Sequence, residues 1–325
     1  MPKIYYVPDD REVETSPATT ILRASLEAGI PHAHACGGNA RCSTCRVLVL
    51  EGVEHCGPRN EQEQQFAERL HFNQRLRLAC QTTVTGNVRL RRLALDANDV
   101  ELISRLSAGA TPSPIGEEKY LAILFADIRG FTALSELLPP YDVIYILNRY
   151  FSQMDQVISR HGGYIDNYIG DGIMALFGIS DATDAALNAV RAGVGMLEAV
   201  ERLQPYLTAV YKRGFEIGIG VHYGEVVVGG IGAPHVKKVT AIGDAVNFAS
   251  RIESANKAAG TKFLISEETY AQVSEQIRVG RIFDNIALPG KSRTPILYEV
   301  IGLNEAGEEQ SSKDALENSQ PRDSL

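Results

Sequence analysis

Three of the five cysteines of this chain lie within ten positions, in the stretch ACGGNARCSTC. Cys36, Cys42 and Cys45 have the spacing C-x5-C-x2-C, and Cys80 follows later in RLRLACQT. Four thiolates drawn from one glycine-rich loop and one distant segment can hold a [2Fe-2S] cluster, because the loop leaves backbone N–H groups free to approach the sulfurs. A zinc site is an alternative, although only Cys42 and Cys45 form the short pair typical of zinc knuckles. Unligated core thiols are the other alternative.

Two aspartates, Asp127 and Asp171, form a second candidate site. Asp127 ends the predicted strand YLAILFAD, and Asp171 lies at the bend of the predicted hairpin YIDNYIGDGIMALFG. Either acid alone would be interpreted as a cap or turn residue. If the hairpin flanks the strand, both carboxylates meet at one sheet edge, where their repulsion favours a bridging cation. Two divalent metals there would activate an attacking oxygen and neutralise a polyphosphate leaving group. The stretch IRGFT behind Asp127 begins a helix whose free N–H groups can receive phosphate oxygens.

A third pair of polar residues lies in TAIGDAVNFASRIES. Asn247 and Arg251 are four residues apart on a predicted helix and therefore share a face, whereas Val246, Ala249 and Ile252 can face the core. An amide and a guanidinium placed in this way can hold a ribose oxygen and a pentavalent phosphate. Taken alone, Asn247 and Arg251 could simply lie on a solvated helix face. The presence of the aspartate pair makes this alternative the weaker interpretation.

The elements that must position these residues fall into two groups. In the first third of the chain, PKIYYV and CRVLVLEG predict strands and TTILRASLEAG predicts a helix. Residues 118–302 predict an α+β sandwich of helices on an antiparallel sheet, with a long helix over about 183–203 and a strand pair over FEIGIGVHYGEVVVGGIG. The helix after the first strand has apolar residues at spacings of three and four, namely Val143, Leu147, Tyr150, Met154 and Val157.

Changes in composition predict the domain boundaries. The 325 residues fit about two domains, which we place at 1–95 and 118–302. The linker 96–117 contains NDVELISRL, a possible short helix that GATPSPIG ends. The polar, acidic end of the chain, 303–325, predicts a disordered tail.

Charge and hydropathy exclude several classes of partner. A net charge of −8 supplies no basic surface for a phosphate backbone, so we expect no nucleic acid partner. The longest apolar stretches, such as LAILFA, are far shorter than the roughly 20 residues that cross a bilayer, and MPKIYYVPDDREVE lacks the regions of a signal peptide. We therefore expect a cytoplasmic protein without membrane contact. In a reducing cytosol, crowded cysteines predict metal binding rather than disulfides.

The cysteine motif identifies a family resemblance. CGGNARCSTC with RLACQT resembles the [2Fe-2S] ferredoxins of β-grasp fold, and the five-residue first gap resembles the adrenodoxin branch, over about residues 1–95. The match puts Cys36, Cys42, Cys45 and Cys80 in the positions of the cluster ligands. Cys56 lies outside the pattern, and we interpret it as an ordinary small thiol whose role stays open.

The remaining motifs resemble a second family. FADIRGFT, YIGDGIMALFG and GDAVNFASRIES, in this order, resemble the class III nucleotidyl cyclase catalytic domain, a ferredoxin-like α/β sandwich, over about residues 118–302. The resemblance implies Asp127, Asp171 and the Ile128 carbonyl as ligands of two Mg²⁺ or Mn²⁺ ions, and Asn247 and Arg251 as the ribose-orienting and transition-state residues. It also implies contacts with the triphosphate from Phe131, Thr132 and Lys291. For Lys291, an ordinary surface lysine is an equal alternative.

The same resemblance implies a head-to-tail homodimer in which each active site takes its aspartates from one subunit and its Asn and Arg from the other. The base-selecting positions of the family fall on Asn167 and Thr240, and neither side chain commits the pocket to adenine or guanine. We expect ATP as the substrate and cyclic AMP with pyrophosphate as products, with GTP as the alternative.

Other functions stay open beside this one. The chain could be an electron carrier whose second domain only binds nucleotide. A cyclic dinucleotide synthase would need a GG(D/E)EF turn, which GGYIDNY does not supply. For the cyclase, we expect regulation by the redox state of the iron-sulfur domain. Such regulation requires two conformations of the protein that differ in their affinity for the electron. We also expect a redox partner protein.

Overall fold

The computed structural model describes residues 1–7, 9–92, 116–232, 238–288 and 294–304. These residues form two compact units, Met1–Glu117 and Glu118–Leu325. The predicted linker helix, Lys291 and the predicted tail beyond 304 lie outside the described residues, so the statements about them stay predictions.

The described residues of the first unit form a five-stranded sheet with the strand order β2-β1-β5-β3-β4 and two α-helices. The first and last strands, β1 and β5, pair in parallel, and the other neighbours are antiparallel. The strands and helix predicted for this unit are present at β1, β3 and α1. The elements are β1 Lys3–Val7, β2 Arg11–Glu14, α1 Ile21–Glu27, β3 Arg46–Glu51, α2 Glu61–Arg69, β4 Leu76–Leu78 and β5 Val88–Arg92.

The second unit is an eight-stranded sheet with the order β12-β13-β11-β9-β6-β8-β7, and β10 pairs with β9. Its elements are β6 Gly116–Ile128, α3 Phe131–Leu137, α4 Pro140–Arg160, β7 Gly163–Ile169, β8 Gly172–Phe177, α5 Ala185–Tyr211, β9 Ile217–Ile231, β10 Lys238–Ile242, α6 Asp244–Ala259, β11 Phe263–Ser266, α7 Glu267–Val273, β12 Ile277–Phe283 and β13 Leu297–Leu303. Among the described residues, no helix is long and apolar enough to cross a membrane.

Strand β6 is buried on both faces, which explains its continuous apolar run. Ala122 and Leu124 pack into the core that α4 and α5 cover, whereas Leu121 and Ile123 pack into the core beneath α6. The apolar spacing of α4 places Tyr150, Met154 and Val157 in the first of these two cores. Helices on opposite faces therefore hold β6 rigidly in the centre of the sheet, and Asp127 lies at the end of this strand.

The predicted strand pair over FEIGIGVHYGEVVVGGIG is wrong. The segment is one 15-residue strand, β9, because none of Gly224, Gly229 and Gly230 has the positive φ that a tight reversal of the chain requires. Its hairpin partner is β10, which begins at Lys238. The sheet is also not purely antiparallel, since β9 and β11 run parallel. The long predicted helix extends beyond residue 203, to Tyr211.

Candidate functional site

The two aspartates meet at the end of strands β6 and β8. Ala126 pairs with Ile173 in the antiparallel ladder, so Asp127 lies beside Gly172 at the hairpin bend where Asp171 is located. The two carboxyl groups are close enough to share a hydrogen bond. Gly172 leaves room for this approach, because a Cβ atom at this position would be crowded at 3.1 Å from Asp127 Oδ1 and 3.2 Å from the Ile169 carbonyl oxygen.

The electrostatics of this pair favour a cation. Burial, followed by the charge of Asp171, raises the pKa of Asp127 to about 6. Glu253 lies near the same group, and burial followed by the charge of Asp127 raises its pKa to about 7. Asp171 Oδ2 is buried without a hydrogen-bond partner among the described residues. Clustered carboxylates with raised pKa values and an unpaired oxygen are the donor set that Mg²⁺ or Mn²⁺ would satisfy.

The residues that follow Asp127 begin helix α3. The side chain of Ile128 is buried, and its backbone N–H donates to Asp127. Gly130 has a φ of 69°, which turns the chain into the seven-residue helix. Phe131 packs partly against the core, and Thr132 is exposed at the helix start. Both therefore lie close in the chain to the carboxylates, but their contacts with phosphate, and the ligand role of the Ile128 carbonyl, stay predictions.

Helix α6 presents Asn247 and Arg251 on one face. At about 100° per residue the two side chains are about 40° apart around the helix axis. Asn247 is exposed, and Arg251 is partly exposed. On the same scale, Glu253 lies about 120° from Asn247 and about 160° from Arg251. Glu253 contacts strand β9, because a Cβ atom at Gly218 would lie 2.6 Å from Glu253 Oε1. The helix thus directs Glu253, and not the Asn and Arg, toward the carboxylates of its own chain.

The predicted base-selecting residues lie on β7 and β10. Thr240 Oγ1 donates a hydrogen bond of 2.9 Å to Asp166 Oδ2, and Lys238 Nζ lies 3.6 Å from the same oxygen. Asp166 is buried, whereas its neighbour Asn167 is exposed. The structure therefore places Thr240 beside strand β7, but its hydrogen bond goes to Asp166, the residue before Asn167.

The four predicted cluster ligands converge as two pairs in the first unit. The thiols of Cys36 and Cys42 hydrogen-bond to each other, as do those of Cys45 and Cys80. The bond with Cys42, against the effect of burial, lowers the pKa of Cys36 to about 5, and backbone N–H groups add to this. Two adjoining thiol pairs fit a cluster in which each of two irons takes two thiolates.

The loop that holds these pairs depends on left-handed backbone. Gly37 and Gly38 have φ values of 67° and 83°, which bend the loop around the thiols at no steric cost. Cys56 is not part of these pairs. Its backbone forms an isolated antiparallel β-bridge with Val84, and burial raises the pKa of its thiol. Within the described parts of the chain, no group of three or more His, Cys, Asp or Glu side chains has an arrangement ready to hold a single metal ion.

Two residues of the second unit escaped the sequence analysis. Glu253 lies within the motif of Asn247 and Arg251, but it does not share their face, so helical spacing gave it no role. Asp166 precedes Asn167 on β7, where an irregularity in the register between Ile165 and Asn167 disturbs the alternation of the strand. A signal for Asp166 was the presence of a carboxylate in the middle of a predicted strand.

The chain is similar to curated proteins that are named adenylate cyclases. Adenylate cyclase from Anabaena cylindrica is 39% identical over 186 residues, 55% of this chain and 36% of that protein. The terminal-differentiation specific adenylate cyclase of Dictyostelium discoideum is 36% identical over 185 residues, 56% of this chain and 9% of that protein. The matching region is thus only a small part of each relative.

Solved structures match the same unit. The guanylyl cyclase Cya2 is 37% identical with a TM-score of 0.54, covering 58% of this chain and 95% of that chain. The adenylyl cyclase CyaB from P. aeruginosa is 34% identical with a TM-score of 0.54, covering 58% of this chain and 97% of that chain.

Two family models match the chain in the order of its units. The model described as a 2Fe-2S iron-sulfur cluster binding domain matches residues 5–85. The model described as the adenylate and guanylate cyclase catalytic domain matches residues 113–301. The chain therefore belongs to the adenylate and guanylate cyclase catalytic domain family and carries a 2Fe-2S ferredoxin domain in front of its cyclase domain.

Proposed function

We propose that this chain is an adenylate cyclase that converts ATP to 3',5'-cyclic AMP and pyrophosphate. The observation that carries the proposal is the meeting of Asp127 and Asp171 at one sheet edge, with a buried oxygen of Asp171 left without a partner among the described residues. Relatives that are named adenylate cyclases match this unit, and one matching structure is a guanylyl cyclase. The relatives therefore include cyclases that act on each of the two bases.

In the proposed reaction, the ribose 3' oxygen bonds to the α-phosphorus while the bond from that phosphorus to the leaving pyrophosphate oxygen breaks. The 3' proton passes to water. Asp127, Asp171 and the Ile128 carbonyl would hold two Mg²⁺ or Mn²⁺ ions, which would activate the 3' oxygen and neutralise the leaving group. Asn247 orients the ribose, and the Arg251 guanidinium stabilises charge on the pentavalent phosphorus. Phe131, Thr132 and Lys291 complete the contacts with the triphosphate.

The orientation of α6 supports a site shared between two copies of the chain. Glu253 faces the carboxylates of its own chain, so Asn247 and Arg251 point elsewhere. The β9–β10 hairpin supports the same conclusion, because Val227 and Ile242 lie opposite each other and are 42% and 55% exposed. A second copy that covers this apolar face would bring its own aspartates to Asn247 and Arg251.

The bond between Thr240 and Asp166 supports ATP as the substrate. Thr240 gives its only hydroxyl proton to Asp166 Oδ2, so its oxygen can only accept hydrogen bonds from a ligand. The 6-amino group of adenine is a donor, whereas the 6-oxygen of guanine is an acceptor. A base that presents its 6-position to Thr240 is therefore favoured when it is adenine.

Incubation of the purified, cluster-loaded chain with ATP or with GTP, and with Mg²⁺ or Mn²⁺, tests the proposal. We expect cyclic AMP and pyrophosphate in equal amounts, with kcat/KM for ATP above that for GTP. Asp166→Asn, which can donate to Thr240 and so release its proton toward the ligand, should reduce the ATP preference about tenfold. Absence of any cyclic nucleotide would refute the cyclase proposal, and cyclic GMP as the main product would reassign its substrate.

We also propose that the redox state of the ferredoxin unit regulates the cyclase through the residues that join them. A one-electron change alters cyclase turnover only if the active and inactive states differ in their affinity for the electron. We expect reduced and oxidised samples of equal cluster content to differ in the rate of cyclic AMP formation. Equal rates would leave the cluster with a purely structural role, and continued electron transfer to a protein acceptor without cyclase activity would favour the electron-carrier alternative.

A further inference from the structure

One polar side chain that neither site uses lies against a cluster ligand. Gln81 follows Cys80, and its Nε2 is 3.3 Å from Cys80 Sγ and 3.3 Å from the carbonyl oxygen of Gly38. The two N–H groups of the amide thus donate to the sulfur of Cys80 and to the loop that holds the other three cysteines. It is a direct link between two segments of the chain that both contain ligands.

The orientation of this amide is fixed from its other end. Asn60 Nδ2 donates a 2.7 Å hydrogen bond to Gln81 Oε1. Rotating the Gln81 amide by half a turn would place its oxygen against Cys80 Sγ and the Gly38 carbonyl, and its NH₂ group against the donor of Asn60. All three contacts would become unfavourable, so the network permits one arrangement.

Asn60 is itself immobilised by helix α2. It is the N-cap residue of the helix, and its Oδ1 accepts a 2.9 Å hydrogen bond from the backbone N–H of Glu63. With the oxygen of its amide used by the helix, only its Nδ2 is available to Gln81. The N-cap of α2 therefore determines which atom of Gln81 faces the sulfur.

Thr44 provides an instructive contrast. Its Oγ1 lies 3.1 Å from Cys42 Sγ, but either atom can be the donor, and the same oxygen already accepts from the backbone N–H of Ala35. A hydroxyl rotates freely enough to adapt to the charge of the sulfur, whereas the Gln81 amide cannot.

We propose that Gln81, oriented by Asn60, raises the reduction potential of the [2Fe-2S] cluster by donating a hydrogen bond to the sulfur of Cys80. The inference rests on the cluster assigned to the four cysteines. One-electron reduction, by dithionite in the experiment below, adds a negative charge that spreads onto the thiolate sulfurs. A fixed N–H donor stabilises the reduced state more than the oxidised state, because its bond strengthens with the charge of the acceptor.

The test is a redox titration of the cluster-loaded full chain, followed by visible absorption and by the EPR signal of the reduced state. We expect Gln81→Met, which keeps the length of the side chain and removes its donors, to lower the equilibrium constant for reduction about tenfold. For one electron, this is a shift of about 59 mV to more negative potential. Gln64→Met is the matched control, because Gln64 is exposed on α2 and bonds to Glu68. Its potential should equal that of the wild type.

A second variant leaves Gln81 in place. In Asn60→Ser the hydroxyl can still cap α2, but it offers no amide donor to Gln81, so the potential should fall by less than in Gln81→Met. In the double variant, Asn60→Ser should add nothing to the shift of Gln81→Met. An unchanged or more positive potential in Gln81→Met, with the EPR signal intact, would overturn the role of Gln81. Wild-type protein without a [2Fe-2S] spectrum after reconstitution would instead overturn the cluster, and the inference with it.

Discussion

Chains with Asp127→Ala and chains with Arg251→Ala should each lose at least about a thousandfold in turnover, and an equal mixture should recover about a quarter of the wild-type activity. Random association makes half of the dimers mixed, and in each mixed dimer one of the two shared sites keeps its aspartates and its arginine. Turnover is measured as cyclic AMP formed per mole of chain after the two proteins exchange subunits. Asp127→Ala should fold normally, because it removes a carboxylate that is repelled by the charge of Asp171.

The matched control for this experiment is a mixture of Asp127→Ala with Asp171→Ala. Both residues belong to the same half-site, since they come from one chain and lie beside each other. The mixed dimer then has one site lacking Asp127 and another lacking Asp171, so the mixture should stay inactive. Recovery in the control, or none in the first mixture, would contradict a site shared between subunits.

Glu63→Ala should destabilise the ferredoxin unit by about 3–5 kcal/mol, because it leaves a buried guanidinium without its counter-charge. The side chains of Glu63 and Arg77 are 0% and 5% exposed, and they form a two-bond pair with N–O distances of 2.9 Å. Glu63 also accepts a 2.7 Å hydrogen bond from the backbone N–H of Leu78, two residues before Cys80. The urea concentration that releases the bound cluster, followed by visible absorption, should fall by about 1–3 M.

Replacing both Glu63 and Arg77 separates two causes of the loss of stability, namely the unpaired buried charge and the missing hydrogen bonds. Glu63→Leu with Arg77→Met removes the charges together and fills the space with apolar atoms, so it should be much more stable than either single variant. Lys3→Met is the control, because it breaks an exposed ion pair between Lys3 and Glu12. This substitution should change the urea midpoint little. A double variant as unstable as Glu63→Ala would mean that the geometry of the hydrogen bonds, and not the buried charge, stabilises this unit.

Much of the fold was predictable where local pattern and burial coincide. The alternation in PKIYYV predicted β1, and the apolar spacing around Tyr150 predicted α4. The meeting of Asp127 and Asp171 followed from a single assumption, that the hairpin flanks the strand, which the pairing of β6 with β8 satisfies. Such predictions succeed because they need only the geometry of neighbouring elements.

The sequence did not predict features that depend on contacts across the fold. The segment of β9 was predicted to be a strand pair, and the continuous strand became evident only from the structure. Glu63 lies in the polar run EQEQQFAER, where nothing distinguishes a fully buried acid from the exposed acids beside it, since its partner Arg77 is on another strand. The direction of the Gln81 amide likewise depends on Asn60, which is 21 positions away.

The two ends of strand β9 have different neighbours. Its first part, around Ile219–Val221, is held in the sheet by β11, whereas Val227–Ile231 pairs with β10. Two-stranded ribbons are only marginally stable on their own, and this one carries Thr240, which we propose contacts the base. In the proposed dimer a second copy covers this ribbon, so dilution that separates the two copies should leave the position of Thr240 less ordered as well as abolish turnover, and nucleotide binding would then depend on the concentration of the chain.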